Sequence, residues 1–240
     1  MNKRLSEKWM DMKVVSQDDT VIKEVTKSEN LTELLIENIV NGDIPSGMKI
    51  SEPELAKRFS VSRGPLREAI MRLEGLGLIE RIPHVGARVI TLSQTKLMEL
   101  YSVREALEGM AARLAARHIT MSEVEQLELL LEQHSEHIDE VDGASYFHQH
   151  GDFDFHYQII KASQNNQLIN LLCNELYHLL RMYRYQSPRT HSRPESALKE
   201  HLFILDAIKN RDEELAELLM RRHISRSKAL IQQHLNDNDE

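Results

Sequence analysis

Leu31, Leu34, Leu35 and Ile39 recur at helical spacing and predict an amphipathic helix over residues 24–41. Gly42 stops it, and Pro45, Ser46 and Gly47 supply turn chemistry. Ser51 and Glu54 stand at capping-box spacing and open a short helix that ends near Phe59. Ser62 is placed to cap a third helix over residues 63–76. Pro65 is tolerated in its first turn, where backbone N–H groups have no intrahelical partner. Leu66, Ala69, Ile70 and Leu73 mark its core face, while Arg63, Gly64, Arg67, Met71 and Arg72 lie on or beside the opposite face. Residues 78–82 and 87–91 then read as short strands around a turn at 83–86. Three helices followed by a hairpin predict a winged helix-turn-helix.

Beyond a joint at Ser93-Gln94-Thr95 every segment has a helical pattern. Helices are predicted over residues 97–118, 121–139, 145–163, 168–185, 192–209 and 212–234, with a second capping box at Thr120 and Glu123. The expected fold is mainly α: an N-terminal winged helix-turn-helix and a C-terminal antiparallel bundle of six helices. The expected organisation is a mobile arm over residues 1–22, a DNA-binding domain over 23–92 and a helical domain over 93–236. No internal repeat is visible.

Charge sharpens this division. The chain of 240 residues carries a formal net charge of -8, so the molecule as a whole is not a basic nucleic-acid binder. Between Lys57 and Ile90, however, seven basic and three acidic residues leave a local +4, and the remainder carries -12. A focused positive face on an acidic protein suits phosphate binding without general adhesion. The single cysteine, Cys173, permits no intrachain disulfide and reads as a small buried hydrophobe in a reducing compartment. Residues 1–15 lack the apolar run of a secretory signal, and no stretch approaches the ~18–20 apolar residues of a membrane span. A cytoplasmic protein without membrane contact is expected.

Arg63 and Arg67 sit one turn apart at the start of the third helix, where a recognition helix presents side chains to base edges. Arginine pairs bidentately with guanine, and Ser62 at the helix N-terminus suits a phosphate. His84 and Gly86 form the tip of the hairpin, within reach of a neighbouring minor groove. Read without the helix order and hairpin, the same residues describe a solvated charged face. The run from Leu55 to Ile70, LAKRFSVSRGPLREAI, continued by Leu73 to Ile79 and Gly86-Ala87, closely resembles the helix-turn-helix of the GntR family of bacterial regulators. The resemblance implies DNA contacts from Ser62, Arg63 and Arg67, with Arg72 beside them and the Gly86 wing tip near the duplex. It departs at Gly64, where the family usually carries threonine, and leaves the contact at that position open.

The second half offers a ligand set. Asp152 and His156 lie four residues apart and project from one helix face. His201 and His223 lie 11 residues before and after Asp212, the centre of a predicted helical hairpin, and so stand at equal height on neighbouring helices. One carboxylate and three imidazoles suit zinc, nickel or manganese, zinc foremost. With 12 histidines in the chain, matched height alone does not separate a ligand set from ordinary residues; His148, His150 and His178 read as exposed. The sequence Asp-x-x-Phe-His, then Glu200-His201, then Arg221-Arg222-His223, resembles the FCD effector domain of the FadR branch of that family. Tyr101 to Glu108 resembles that domain's opening helix, Ser163-Gln164-Asn165 its Ser-x-Asn turn, and the six-helix count the VanR-type subgroup. In metal-binding members one Asp and three His hold the ion, which implies Asp152, His156, His201 and His223 here. Arg104 reads either as a surface salt bridge to Glu105 or Glu108 or, by resemblance, as a cation pointing into the effector cavity.

The expected protein is a homodimeric repressor that binds a palindromic double-stranded operator and answers to a small carboxylate effector at the metal. A regulator for which the ion is itself the signal is the nearer alternative. A helical metal-dependent hydrolase is the more distant one, since no HExxH motif and no adjacent His-Asp pair is present.

Overall fold

The computed structural model describes residues 27–140, 151–186 and 194–237. The arm expected over residues 1–22, His148 and His150 lie outside the described residues, as does the side chain of Asp152. Helix α1 (Lys27–Val40), α2 (Glu52–Arg58) and α3 (Arg63–Gly75) precede the antiparallel pair β1 (Ile79–Ile82) and β2 (Gly86–Val89). Leu31, Leu35, Ile36 and Ile39 of α1 pack on Leu66, Ala69, Ile70 and Leu73 of α3, with Leu78 and Val89 closing the cluster. Leu34, read as part of the apolar stripe, is 43% exposed; Ile36 takes its place in the core. The hairpin register pairs Ile79 with Val89 and Ile82 with Gly86. A third backbone segment joins its edge, with Lys49 bridged to Arg88 and the Ile50 N–H donating to the Ala87 carbonyl. That segment was read as turn and loop, because a single bridge leaves no alternation in the sequence.

The predicted caps have different outcomes. Thr120 and Glu123 form the reciprocal box: the Thr120 N–H donates to Glu123 Oε2 at 2.8 Å and the Glu123 N–H to Thr120 Oγ1 at 3.3 Å. Ser51 and Ser62 hold the N-cap positions of α2 and α3 with extended backbones, yet neither side chain makes a cap hydrogen bond. Ser93 caps α4 (Gln94–His118), accepting from the Lys96 N–H at 3.2 Å. The helix thus starts inside the expected joint, which leaves no slack between hairpin and bundle.

The bundle continues through α5 (Met121–Glu140), α6 (Gly151–Ala162), α7 (Asn166–Ile169), α8 (Tyr177–Gln186), α9 (Pro194–Lys209) and α10 (Glu213–Asp237). Residues 166–186, expected as one regular helix, are interrupted by a π-helical turn at Asn170–Glu175. Here the Leu176 N–H reaches back five residues to the Leu171 carbonyl. Nothing in the apolar spacing distinguishes this widened turn from an α-helix. Helix α4 runs along α10 through the middle of the bundle, and Ala112, Ala115, Ala116, Phe155, Ile159 and Met220 fill its core. Met182 of α8 is fully buried, but in the α1–α3 cluster. Among the described residues no helix is long and apolar enough to cross a membrane.

Candidate metal and DNA-binding sites

His156 on α6, His201 on α9 and His223 on α10 are buried, and their rings converge. The Nε2 of His223 lies 3.2 Å from that of His156 and 3.3 Å from that of His201. The α9–α10 hairpin sets the height of the second pair: Asp212 accepts from the Leu215 N–H at 3.0 Å and starts α10, while Arg211 turns the chain at φ 60°. Phe155 stacks on His201 with ring centroids 4.2 Å apart, which fixes the plane of that imidazole. Asp152 stands one turn before His156 on α6.

Two carboxylates that sequence reasoning did not assign to this centre orient the rings from behind. Nδ1 of His156 lies 2.5 Å from Glu108 Oε2, and Nδ1 of His223 lies 2.7 Å from Glu200 Oε2. Arg226 donates to the other Glu200 oxygen at 2.7 Å. With a carboxylate accepting at each Nδ1, the proton sits there, and the two Nε2 lone pairs face one another. Two lone pairs at 3.2 Å cannot bond each other; they require a proton or a cation between them. For metal–nitrogen bonds of about 2.0–2.1 Å the edge of a tetrahedron is about 3.3 Å. The donor set and its spacing therefore fit a divalent ion held by nitrogen.

Arg104 forms the pair expected with Glu108, but inside the protein instead of on its surface. Its Nε donates to Glu108 Oε1 at 2.5 Å, and both side chains are 3% exposed. Burial by itself raises the Glu108 carboxyl; the charges of Arg104 and His156 outweigh it and hold the group down at about 2. Arg104, Glu108 and His156 border a cavity of about 20 Å³ closed from the far side by Leu172, Cys173, Tyr177 and Leu180. Burial pushes the Cys173 thiol up to about 11, which makes it chemically quiet. His178, read as exposed, is half-buried between Tyr177 and the charges of Arg181 and Glu37, and burial followed by Arg181 lowers its pKa.

On the opposite end of the molecule Ser62, Arg63, Gly64, Arg67 and Arg72 are exposed along one side of α3. Arg67 donates from Nε to Glu52 Oε2 at 2.8 Å, a solvent-exposed pair that a phosphate or base can replace. His84, at φ 64°, and Gly86, at φ 101°, form the hairpin tip, where the left-handed backbone favours glycine. The structure thus brings the three histidines together at one site and the α3 residues together at another, with the wing tip on the same domain as α3.

Helix α3 with its hairpin, joined to a helical bundle enclosing a polar centre, defines a ligand-responsive class of winged-helix regulator. Residues 27–89 match the gntR family of bacterial regulatory proteins, and residues 99–226 match the FCD domain. The chain belongs to the GntR family with an FCD domain, a family of DNA-binding transcriptional regulators and not of enzymes. It is 32% identical to the HTH-type transcriptional repressor RspR of Escherichia coli K12, over 89% of this chain and 92% of that one. It is 30% identical to the probable D-xylose utilization operon transcriptional repressor of Paenarthrobacter nicotinovorans, over 83% and 86%. Its fold is similar to the solved structure of E. coli McbR/YncC, with a TM-score of 0.71 at 21% identity, over 88% of this chain and 99% of that one.

Proposed function

We propose that the protein is a homodimeric repressor of the VanR-type subgroup that holds a divalent metal, zinc foremost, in its C-terminal domain. Residues 23–92 read a palindromic operator, and residues 93–236 bind the ion and a small carboxylate effector. Asp152, His156, His201 and His223 are the ligands, and Glu108 and Glu200 fix the tautomers of His156 and His223. The observation that carries this reading is the convergence of Nε2 atoms at 3.2 and 3.3 Å with carboxylates behind two of the rings. The ion supplies open coordination positions for an effector carboxylate, and Arg104 supplies the countercharge. Ser62, Arg63, Arg67 and Arg72 contact the duplex, the α3 backbone at Gly64 lies against it, and His84 and Gly86 reach from the wing.

The test combines metal analysis with operator titration. Genomic DNA fragments selected by the purified protein supply the operator, and the genes beside them name candidate acids. His201→Ala/His223→Ala is expected to lose metal and the effector response while retaining operator binding, because an effector shifts DNA affinity only by binding two states unequally. Full metal occupancy with a normal response in the double variant overturns the assignment. One observation favours a second reading, in which the ion is the signal: the cavity of about 20 Å³ has room for about one water. A full change in operator affinity on adding metal alone, with no further change on adding acids, establishes that second reading.

A further inference from the structure

The cavity beside His156 lies between two unlike walls. Arg104 and Glu108 of α4 and Ile160 of α6 form one, and Glu108 ties those helices together through Arg104 and His156. Cys173, Tyr177 and Leu180 belong to the other. With about 20 Å³ available, even a two-carbon acid does not fit unless a wall moves, since protein interiors hold little spare volume. The wall built to yield is the second. It follows directly from the π-helical turn at Asn170–Glu175, a geometry in which one extra residue is accommodated and can be redistributed.

That same helix is fastened to the DNA-binding domain from its other side. At 3.6 residues per turn, Tyr177 and Leu180 share a face of α8 and Met182 lies roughly opposite. Met182 is fully buried in the α1–α3 core. Arg181 holds Glu37 of α1 through two bonds, at 2.7 and 2.9 Å. Tyr183 Oη accepts from the Ser93 N–H and donates to the Ser93 carbonyl, each at 3.1 Å, so it grips the junction between hairpin and α4.

We propose that α8 carries occupancy of the cavity to the DNA-binding domain: an occupant displaces Tyr177 and Leu180, and the displacement loosens Arg181, Met182 and Tyr183 from α1 and Ser93. This rests on the reading of the cavity as the effector site, but the coupling itself is testable with no effector present. Cys173, the one cysteine of the chain, is the position from which to fill the cavity. Cys173→Phe inserts a side chain larger than the space, and Cys173→Ala serves as control. Hydrogen exchange of the full-length protein is expected to accelerate at least tenfold at the Ser93 amide and across α1 in Cys173→Phe, and to stay within twofold in Cys173→Ala. Should Cys173→Phe fail to fold by circular dichroism, Glu37→Gln frees the same junction from the opposite side. It is expected to accelerate exchange at Ser93 and α1 while zinc affinity is retained. Exchange at Ser93 and α1 within twofold of the parent in the folded variants overturns the proposal. Zinc titration of the parent protein in the same series separates the two readings: a parent that takes up no zinc overturns the metal assignment, and the exchange result decides the coupling independently.

Discussion

Removing Glu108 tests the interior charge arrangement most directly. Its carboxylate is 3% exposed and accepts from Arg104 Nε and His156 Nδ1, each at 2.5 Å. Glu108→Ala leaves the Arg104 guanidinium buried with its main countercharge gone, a change that costs about 3–5 kcal/mol in buried pairs. The depression of the carboxyl from 4.5 to about 2 is an independent measure of the same interactions, equivalent to about 3 kcal/mol. For a chain of this length each kcal/mol moves the melting midpoint by about 2–4 °C, so a drop of about 6–12 °C is expected. The assay is thermal unfolding by circular dichroism with chelator present, which removes any contribution from a bound ion. The paired replacement Arg104→Met/Glu108→Leu exchanges both charges for apolar groups of similar bulk and is expected to recover most of the loss. A midpoint within 2 °C of the parent for Glu108→Ala, or a paired variant less stable than the single one, refutes the reasoning. In the absence of chelator, zinc affinity is expected to fall about 10–100-fold in Glu108→Ala, the range seen when a partner behind a ligating histidine is lost.

Arg67→Ala is expected to weaken operator binding by about 1–3 kcal/mol at fixed salt while leaving folding stability nearly unchanged, since its only described partner, Glu52, pairs with it in solvent; unchanged affinity in a titration removes Arg67 from the reading face. Gly64→Ala is expected to stabilise the fold by about 0.5–1 kcal/mol in denaturant titration, because a Cβ there meets nothing within 4 Å and the helical backbone does not require glycine; a destabilised variant contradicts this. His178 has a folded pKa depressed below its ordinary 6.5, so the unfolded chain binds more protons and stability falls as pH drops below about 6.5. His178→Gln is expected to flatten that part of the pH profile, and an unchanged slope counts against the interface environment described. Light scattering is expected to give a particle of twice the chain mass, since one winged domain covers too few base pairs for useful specificity; a monomer that still binds its operator one to one contradicts the dimer.

Much of this architecture was legible in the sequence because it is written in local periodicity. The core face of α3 was read residue by residue, and the equal height of His201 and His223 followed from counting along two helices about Asp212. Less was legible where geometry depends on contacts distant along the chain. Arg104 and Glu108 are an i, i+4 pair, and that spacing reads the same on a surface as in a core. Only the packing of α4 between α6 and α10 makes it interior. Glu200 stood beside a noted histidine, but its bond goes to His223, on the next helix. The Ser51 and Ser62 caps have the right residues and backbone without the bond, because an exposed hydroxyl has water as an equal partner. Met182 was the least legible: its apolar side chain fits the pattern of α8 equally well whether it faces the bundle or another domain.

The grip of Tyr183 on Ser93 and the burial of Met182 among α1–α3 bear on recombination of such regulators. A chimera cut between the hairpin and α4 severs the chain where the sequence looks modular, yet it carries away only half of a shared joint. A foreign DNA-binding domain placed before Gln94 must bring a carboxylate where Glu37 stands and a recess for Met182, or it leaves Arg181 without its described partner and an apolar side chain against water. The transferable unit is therefore discontinuous: the first 93 residues together with the end of α8.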